Sequence, residues 1–147
     1  MEEWMSVAFE LMPRPDWAGT TTVSTTPGDQ HSAEQWARAI FDVGSVPAWV
    51  KLLFAARMLA AKALRLPPGD PAMLAIDRVV ADEAVIDTDD VHLRFVATVR
   101  TEPGLLHVTT AVTFKGWRGR LYFAPVRLLH DAVTRSMMTA ATRRLGA

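Results

Sequence analysis

The sequence predicts an α+β protein in which an antiparallel sheet packs against a long C-terminal helix. Three observations carry this expectation. The apolar spacing is helical over residues 33–66, alternating over most of the stretch from Leu74 to Phe123, and helical again after Pro125. The alternating stretches each have one apolar and one polar face, which suits an antiparallel sheet with one wet side. The last helical stretch has a single apolar stripe, and a stripe of that kind needs a sheet or helix to cover it.

The elements follow in order. Residues 1–16 end in "PRPD" and read as a loosely attached leader ahead of a domain spanning 17–147. "TTTVSTT" at 20–26 is β-branched and reads as an edge strand. Ser32 followed by Gln35 has the capping-box spacing, so a helix is expected from 33, with Trp36, Ala37, Ile40 and Phe41 on its apolar side. Gly44 suits its stop, and His31 is placed to contact Trp36 as a staple. A second helix is expected over about 47–66, with Pro47 tolerated in its first turn and "PPGDP" at 67–71 ending it. "LAIDRVVADEAVID" reads as two short strands about an "ADE" turn. In "VHLRFVATVRT", Val91, Leu93, Phe95, Ala97 and Val99 share one face, with His92, Arg94, Thr98 and Arg100 on the other. "LLHVTTAVTFK" repeats the pattern, with Leu106, Val108, Val112 and Phe114 opposite His107, Thr109, Thr113 and Lys115. "RLYFA" reads as one more strand, with Leu121 and Phe123 facing the core. Pro125 then opens a helix whose stripe is Val126, Leu129, Val133, Met137 and Ala140. The whole is β-α-α-β-β-β-β-β-α.

Composition narrows the function classes. Lys+Arg and Asp+Glu both number 16, so the chain lacks the basic excess of a nucleic-acid binder. Cysteine is absent, which removes disulfides, thiolate metal sites and cysteine nucleophiles and fits a cytoplasmic location. The acidic N-terminus lacks the basic and apolar regions of a secretory signal. The most apolar window, 46–66, is interrupted by Lys51, Arg57, Lys62 and Arg65, so membrane insertion is not expected. Dinucleotide, P-loop, zinc-protease and nucleophile-elbow motifs are all missing. No cofactor and no metal site are expected.

Several stretches resemble a known family. They are "PDWAGTTTV", "WARAIFDVGSVPAWVKLLFAARMLAAKALRL", "LHVTTAVTF" and "GRLYFAPVRLLHDAVTRSMM", which together cover most of residues 15–140. The chain resembles an uncharacterised bacterial domain family of the START-like, or SRPBCC, superfamily, whose domains also occur fused to epimerase-like NAD-binding proteins. The resemblance implies the helix-grip fold, with an antiparallel sheet wrapped around a long C-terminal helix and two helices after the first strand. It also implies a cavity between sheet and helix. Members of that family tend to carry an Arg-Asp pair in the second helix; here Arg57 is followed by Met58.

Two polar residues stand out. His130 falls at the border of the apolar stripe of the last helix, where it could meet a cavity mouth as a ligand anchor or general base, or bond a carbonyl as a structural residue. Arg57 points away from the other cations of its helix, among Val50, Leu53, Ala61 and Leu64. It needs a partner there, either Asp77, Asp82 or Asp87 in an ion pair or an anionic ligand group. His92 and His107 are expected to be solvated on polar strand faces, with no acid beside them to complete a metal site.

Three functions remain in view. The first is binding of a small apolar molecule between sheet and last helix, lined by Leu93, Phe95, Val99, Val108, Val112, Val133 and Met137 and oriented by Arg57, Tyr122 and His130. The second is a cyclase, dehydratase or isomerase using the same cavity, with His130 or a strand aspartate moving a proton and Arg57 stabilising charge. The third is an accessory role beside an epimerase-like protein. Binding without catalysis is the leading expectation, and a homodimer is the other macromolecular alternative.

Overall fold

A computed structural model describes residues 6–42, 47–63, 65, 76, 78–80, 82–89 and 93–146, with all their side chains except those of Phe54, Arg57, Ala61 and Tyr122. The alternating stretches form one antiparallel sheet. Its strands are β1 (Trp17–Ser24), β2 (Arg78–Val80), β3 (Glu83–Asp89), β4 (Leu93–Glu102) and β5 (Leu105–Phe114), in the spatial order β1-β5-β4-β3-β2. β2 to β5 form a meander. β1 pairs with the far strand β5, so the intervening helices α2 (Ala33–Ile40) and α3 (Ala48–Ala63) lie in the connection from the β1 edge to the β2 edge. Gly104 turns β4 into β5 with φ +80°, a left-handed conformation that glycine adopts without a Cβ clash.

Register sorts the side chains as the alternation predicts. Val99 pairs with Val108 and Ala84, Ala97 with Thr110 and Ile86, and Phe95 with Val112, all on one face. This inner face meets α2, α3 and the C-terminal helix α4 (Trp117–Leu145). Trp36, Ala37 and Ile40 of α2, Val50 of α3 and Met137, Met138 and Ala141 of α4 bury there against Ala84, Val99, Leu106 and Val108. The capping box at Ser32 and Gln35 is formed in both directions. Asp29 fixes the entry to α2 by accepting from the Trp36 indole N–H at 3.0 Å and pairing with His31, whose ring meets Trp36 edge-on. Burial alone would raise the Asp29 carboxyl, but these hydrogen bonds outweigh it and hold the group below its ordinary value.

Several expectations change. "RLYFA" is the start of α4 rather than a strand, and α4 runs through Gly119 and Pro125. The reason lies in the spacing of what is buried. Gly119, Phe123, Val126, His130, Thr134 and Met137 turn inward at intervals of three and four, so one helical stripe continues back through the segment. Phe123 is buried as expected, but Leu121 is exposed. The stripe is also rotated from the expected one, because Leu129 faces solvent and His130 and Thr134 take the inward positions.

The outer face of the sheet is not uniformly wet. The segment before β1 carries a short helix, α1 (Val7–Leu11), with Ser6 as its N-cap. Val7, Ala8 and Met12 bury against Val85, Val96 and Ala111 on that face. The segment that leads up to "PRPD" is thus packed on the sheet from Val7 to Met12 rather than loosely attached. Lastly, Glu83 belongs to β3 rather than to a turn; the turn is made by Asp82, with φ 67°.

Candidate functional site

The candidate site lies where α4 crosses the inner face of β1 and β5. Trp17 begins β1, opposite Val112 of β5, which is itself opposite Phe95 of β4. Its indole folds back along the strand. A Cβ built on Gly19 would come within 3.0 Å of the Trp17 ring, so glycine two residues on is what lets the indole lie there. Phe123 and His130, seven residues apart and therefore on one face of α4, both meet Trp17 edge-on, with ring centroids 5.2 and 4.8 Å away. Phe114, at the end of β5, closes the cluster with its centroid 5.4 Å from Phe123.

His130 is half-buried in this frame. Its Nδ1 lies 3.4 Å from Thr134 Oγ1, a long contact, and burial pushes its pKa below the ordinary value while Asp131 opposes that shift in part. Burial thus favours the neutral imidazole, which can both donate and accept a hydrogen bond. Asp131 does not orient it. Its carboxylate accepts from the Thr21 hydroxyl at 2.6 Å and faces Arg135 at 3.7 Å, while Arg135 donates to the Thr22 carbonyl. These bonds strap α4 to β1 and leave the imidazole without a carboxylate partner among the described residues. The arrangement is suited to holding a ligand polar group more than to relaying a proton.

The other expected ligand-contacting residues share the inner face but fall into two groups. Phe95 and Val112 lie at the Trp17 end with His130. Val99, Val108 and Met137, with Val133 packed against them, lie deeper among Trp36, Ile40 and Met138. Arg57 is on α3 and Tyr122 on α4, but their side chains, and with them any contact between Arg57 and His130, are outside the described residues. Of the ion-pair partners considered for Arg57, Asp77 is outside the described residues and Asp82 is the turn residue before β3. Asp87 faces the outer side, where Arg94 takes both its oxygens.

His107 is not solvated. Its ring bonds Thr22 Oγ1 through Nδ1 and Glu102 through Nε2, at 2.8 and 2.7 Å. The β4–β5 hairpin brings that acid beside it, which adjacency in sequence does not reveal. His92 is outside the described residues.

Two features were missed from sequence. Trp17 and Gly19 form the floor of the aromatic cluster, and the only hint was an aromatic two residues before a glycine in a strand. Behind the sheet, Glu83 is buried at 1% exposure. One of its carboxylate oxygens accepts from the Val7 N–H at 2.8 Å and the Ser6 hydroxyl at 3.1 Å, and the other has no hydrogen bond among the described residues. Burial raises its pKa.

A family model described as a protein of unknown function, DUF2867, matches residues 11–137. No curated protein and no solved structure matches the chain.

Proposed function

The chain belongs to the DUF2867 family, and from that premise we propose that it binds a small, largely apolar molecule between the sheet and α4. The fold is the helix-grip arrangement of the START-like superfamily, a five-stranded antiparallel sheet packed against a long C-terminal helix. The observation that carries the proposal is His130. A neutral imidazole on the inward face of α4, framed by Trp17, Phe123 and Val112, is the kind of single polar group in apolar walls that orients a ligand. Trp17 and Phe123 offer ring faces and edges, and Phe95 and Val112 continue the apolar wall along β4 and β5. A catalytic use of the site would need His130 as a base. The engagement of Asp131 by Thr21 and Arg135 favours binding over proton transfer.

Native mass spectrometry of the purified chain tests this. A co-purified small molecule should be present and should be lost from the His130→Ala and Trp17→Ala variants. Retention of the same molecule by both variants would place its site elsewhere.

A further inference from the structure

The aromatic cluster ends on a cation. Arg120 lies three residues before Phe123 in α4, and its guanidinium sits over the Phe114 ring, 5.4 Å from the centroid. Phe114 meets Phe123, Phe123 meets Trp17, and Trp17 meets His130, so an unbroken row of rings joins Arg120 to the imidazole. Along α4 the two ends are separated by on the order of 15 Å, from the helical rise between residues 120 and 130. Other cations around the sheet are engaged: Arg94 holds Asp87, Lys115 pairs with Asp89, and Arg135 donates to the Thr22 carbonyl. Arg120 differs. Among the described residues its ion-pair contact is Asp16, at 3.8 Å and so beyond hydrogen-bond reach. Asp16 is itself held by accepting from the Phe114 N–H at 2.8 Å. The guanidinium of Arg120 thus borders the cluster with its N–H fork open to a further partner.

The charge at that end favours an anion. Residues 115–130 contain Lys115, Arg118, Arg120 and Arg127 and no acid. Arg127 lies two turns beyond Arg120 on the same flank of α4 and is exposed. A guanidinium fork matches a carboxylate through two parallel N–H···O bonds. With Asp16 nearby, the positive charge at Arg120 suits a singly charged group rather than a phosphate dianion. We propose, resting on the ligand site framed by Trp17 and His130, that the ligand is an oxygenated carboxylic acid. Its carboxylate pairs with Arg120, its apolar body lies along the rings of Phe114, Phe123 and Trp17, and a hydroxyl or carbonyl bonds His130. Arg120 is then the residue that selects acids over neutral molecules of the same shape.

NMR titration of the labelled full chain with 12-hydroxydodecanoate and with its methyl ester, followed at the Trp17 indole N–H, tests the proposal. The acid is expected to bind about tenfold more tightly than the ester. Arg120→Ala should remove that preference by weakening the acid alone, and Arg120→Lys should keep part of it. Arg118→Ala, an exposed position whose guanidinium lies over Trp117, should leave it unchanged. His130→Ala should weaken acid and ester by the same factor, since both keep the hydroxyl. Equal affinity for acid and ester in the unaltered chain, or a preference that survives Arg120→Ala, would overturn the role of Arg120 and the choice of an acid while leaving the site at Trp17 standing. An affinity that His130→Ala leaves unchanged would overturn the hydroxyl contact. No shift at Trp17 with either compound would overturn the site and the acid together.

Discussion

Glu83 gives the most quantitative prediction. Its carboxylate is the partner of the first backbone N–H of α1 and of the Ser6 cap, 76 and 77 residues away in sequence, and it is buried. Replacing Glu83 by Ala removes both bonds. Ser6 keeps Thr98, whose hydroxyl lies 2.7 Å away, so the uncompensated loss is the buried Val7 N–H. An orphaned buried donor costs about 1–3 kcal/mol, less whatever is regained by no longer burying a charge. The expected net is a loss of about 1–2 kcal/mol, or a fall of about 3–8 °C in Tm for a chain of this size. Because burial raises the pKa of Glu83, the folded chain binds this proton more tightly than the unfolded chain does. Its contribution is therefore fully present below the unfolded pKa and is lost as pH rises through the raised folded value. Glu83→Gln keeps an acceptor for Val7 and should flatten that part of the pH profile. Urea titrations followed by circular dichroism, with hydrogen exchange at Val7 and Ala8, measure all of this. If Glu83→Ala leaves both the urea midpoint and the protection of those amides unchanged, the reasoning about α1 is wrong.

Other outcomes follow from the same contacts. Trp36→Ala empties the centre of the inner core and should cost about 3–5 kcal/mol, enough to unfold a marginally stable chain, as near-ultraviolet circular dichroism would show. Gly19→Val should displace the Trp17 indole, read as loss of the ring-current shift on the His130 ring protons in NMR spectra, with little effect on β1 pairing. His130 should titrate below its ordinary value of 6.5. Since its folded pKa is depressed, its stabilising share is present above the unfolded pKa and lost as pH falls through the folded one, and His130→Gln should remove that acid-side loss. Asp131→Ala frees the Thr21 hydroxyl and Arg135, and faster exchange at the β1 amides near Thr21 is the expected sign of a loosened strap.

The parts of the fold that were legible in sequence are those where two periodicities disagree sharply. Leu93, Phe95, Ala97 and Val99 alternate with Arg94, Thr98 and Arg100, and the register confirms the face each takes; only Val96, which α1 covers on the outer face, breaks the pattern. Ser32 and Gln35 announced α2 because a capping box is local chemistry. "RLYFA" misled because a few residues can satisfy alternation and helical spacing together, and Pro125 looked like a beginning when it lies inside α4. Glu83 could not be told from the other acids of "ADEAVIDTDD", since its burial depends on α1, which arrives from the other end of the chain. The same holds for the site. His130 drew attention by its place on the stripe, but its partner Trp17 depends on the pairing of β1 with β5, which brings it from near the other end of the chain, and on the missing Cβ of Gly19.

The central claim is that Trp17 and His130 frame a ligand site on the inner face. The most direct test is an NMR titration of the labelled chain with 8-anilinonaphthalene-1-sulfonate, an apolar probe with one anionic group. Saturable shifts at the Trp17 indole N–H and the His130 ring, together with Val112 and Phe95, are the predicted result. Shifts confined to Leu52 and Leu59 of α3, with Trp17 and His130 unmoved, would contradict it.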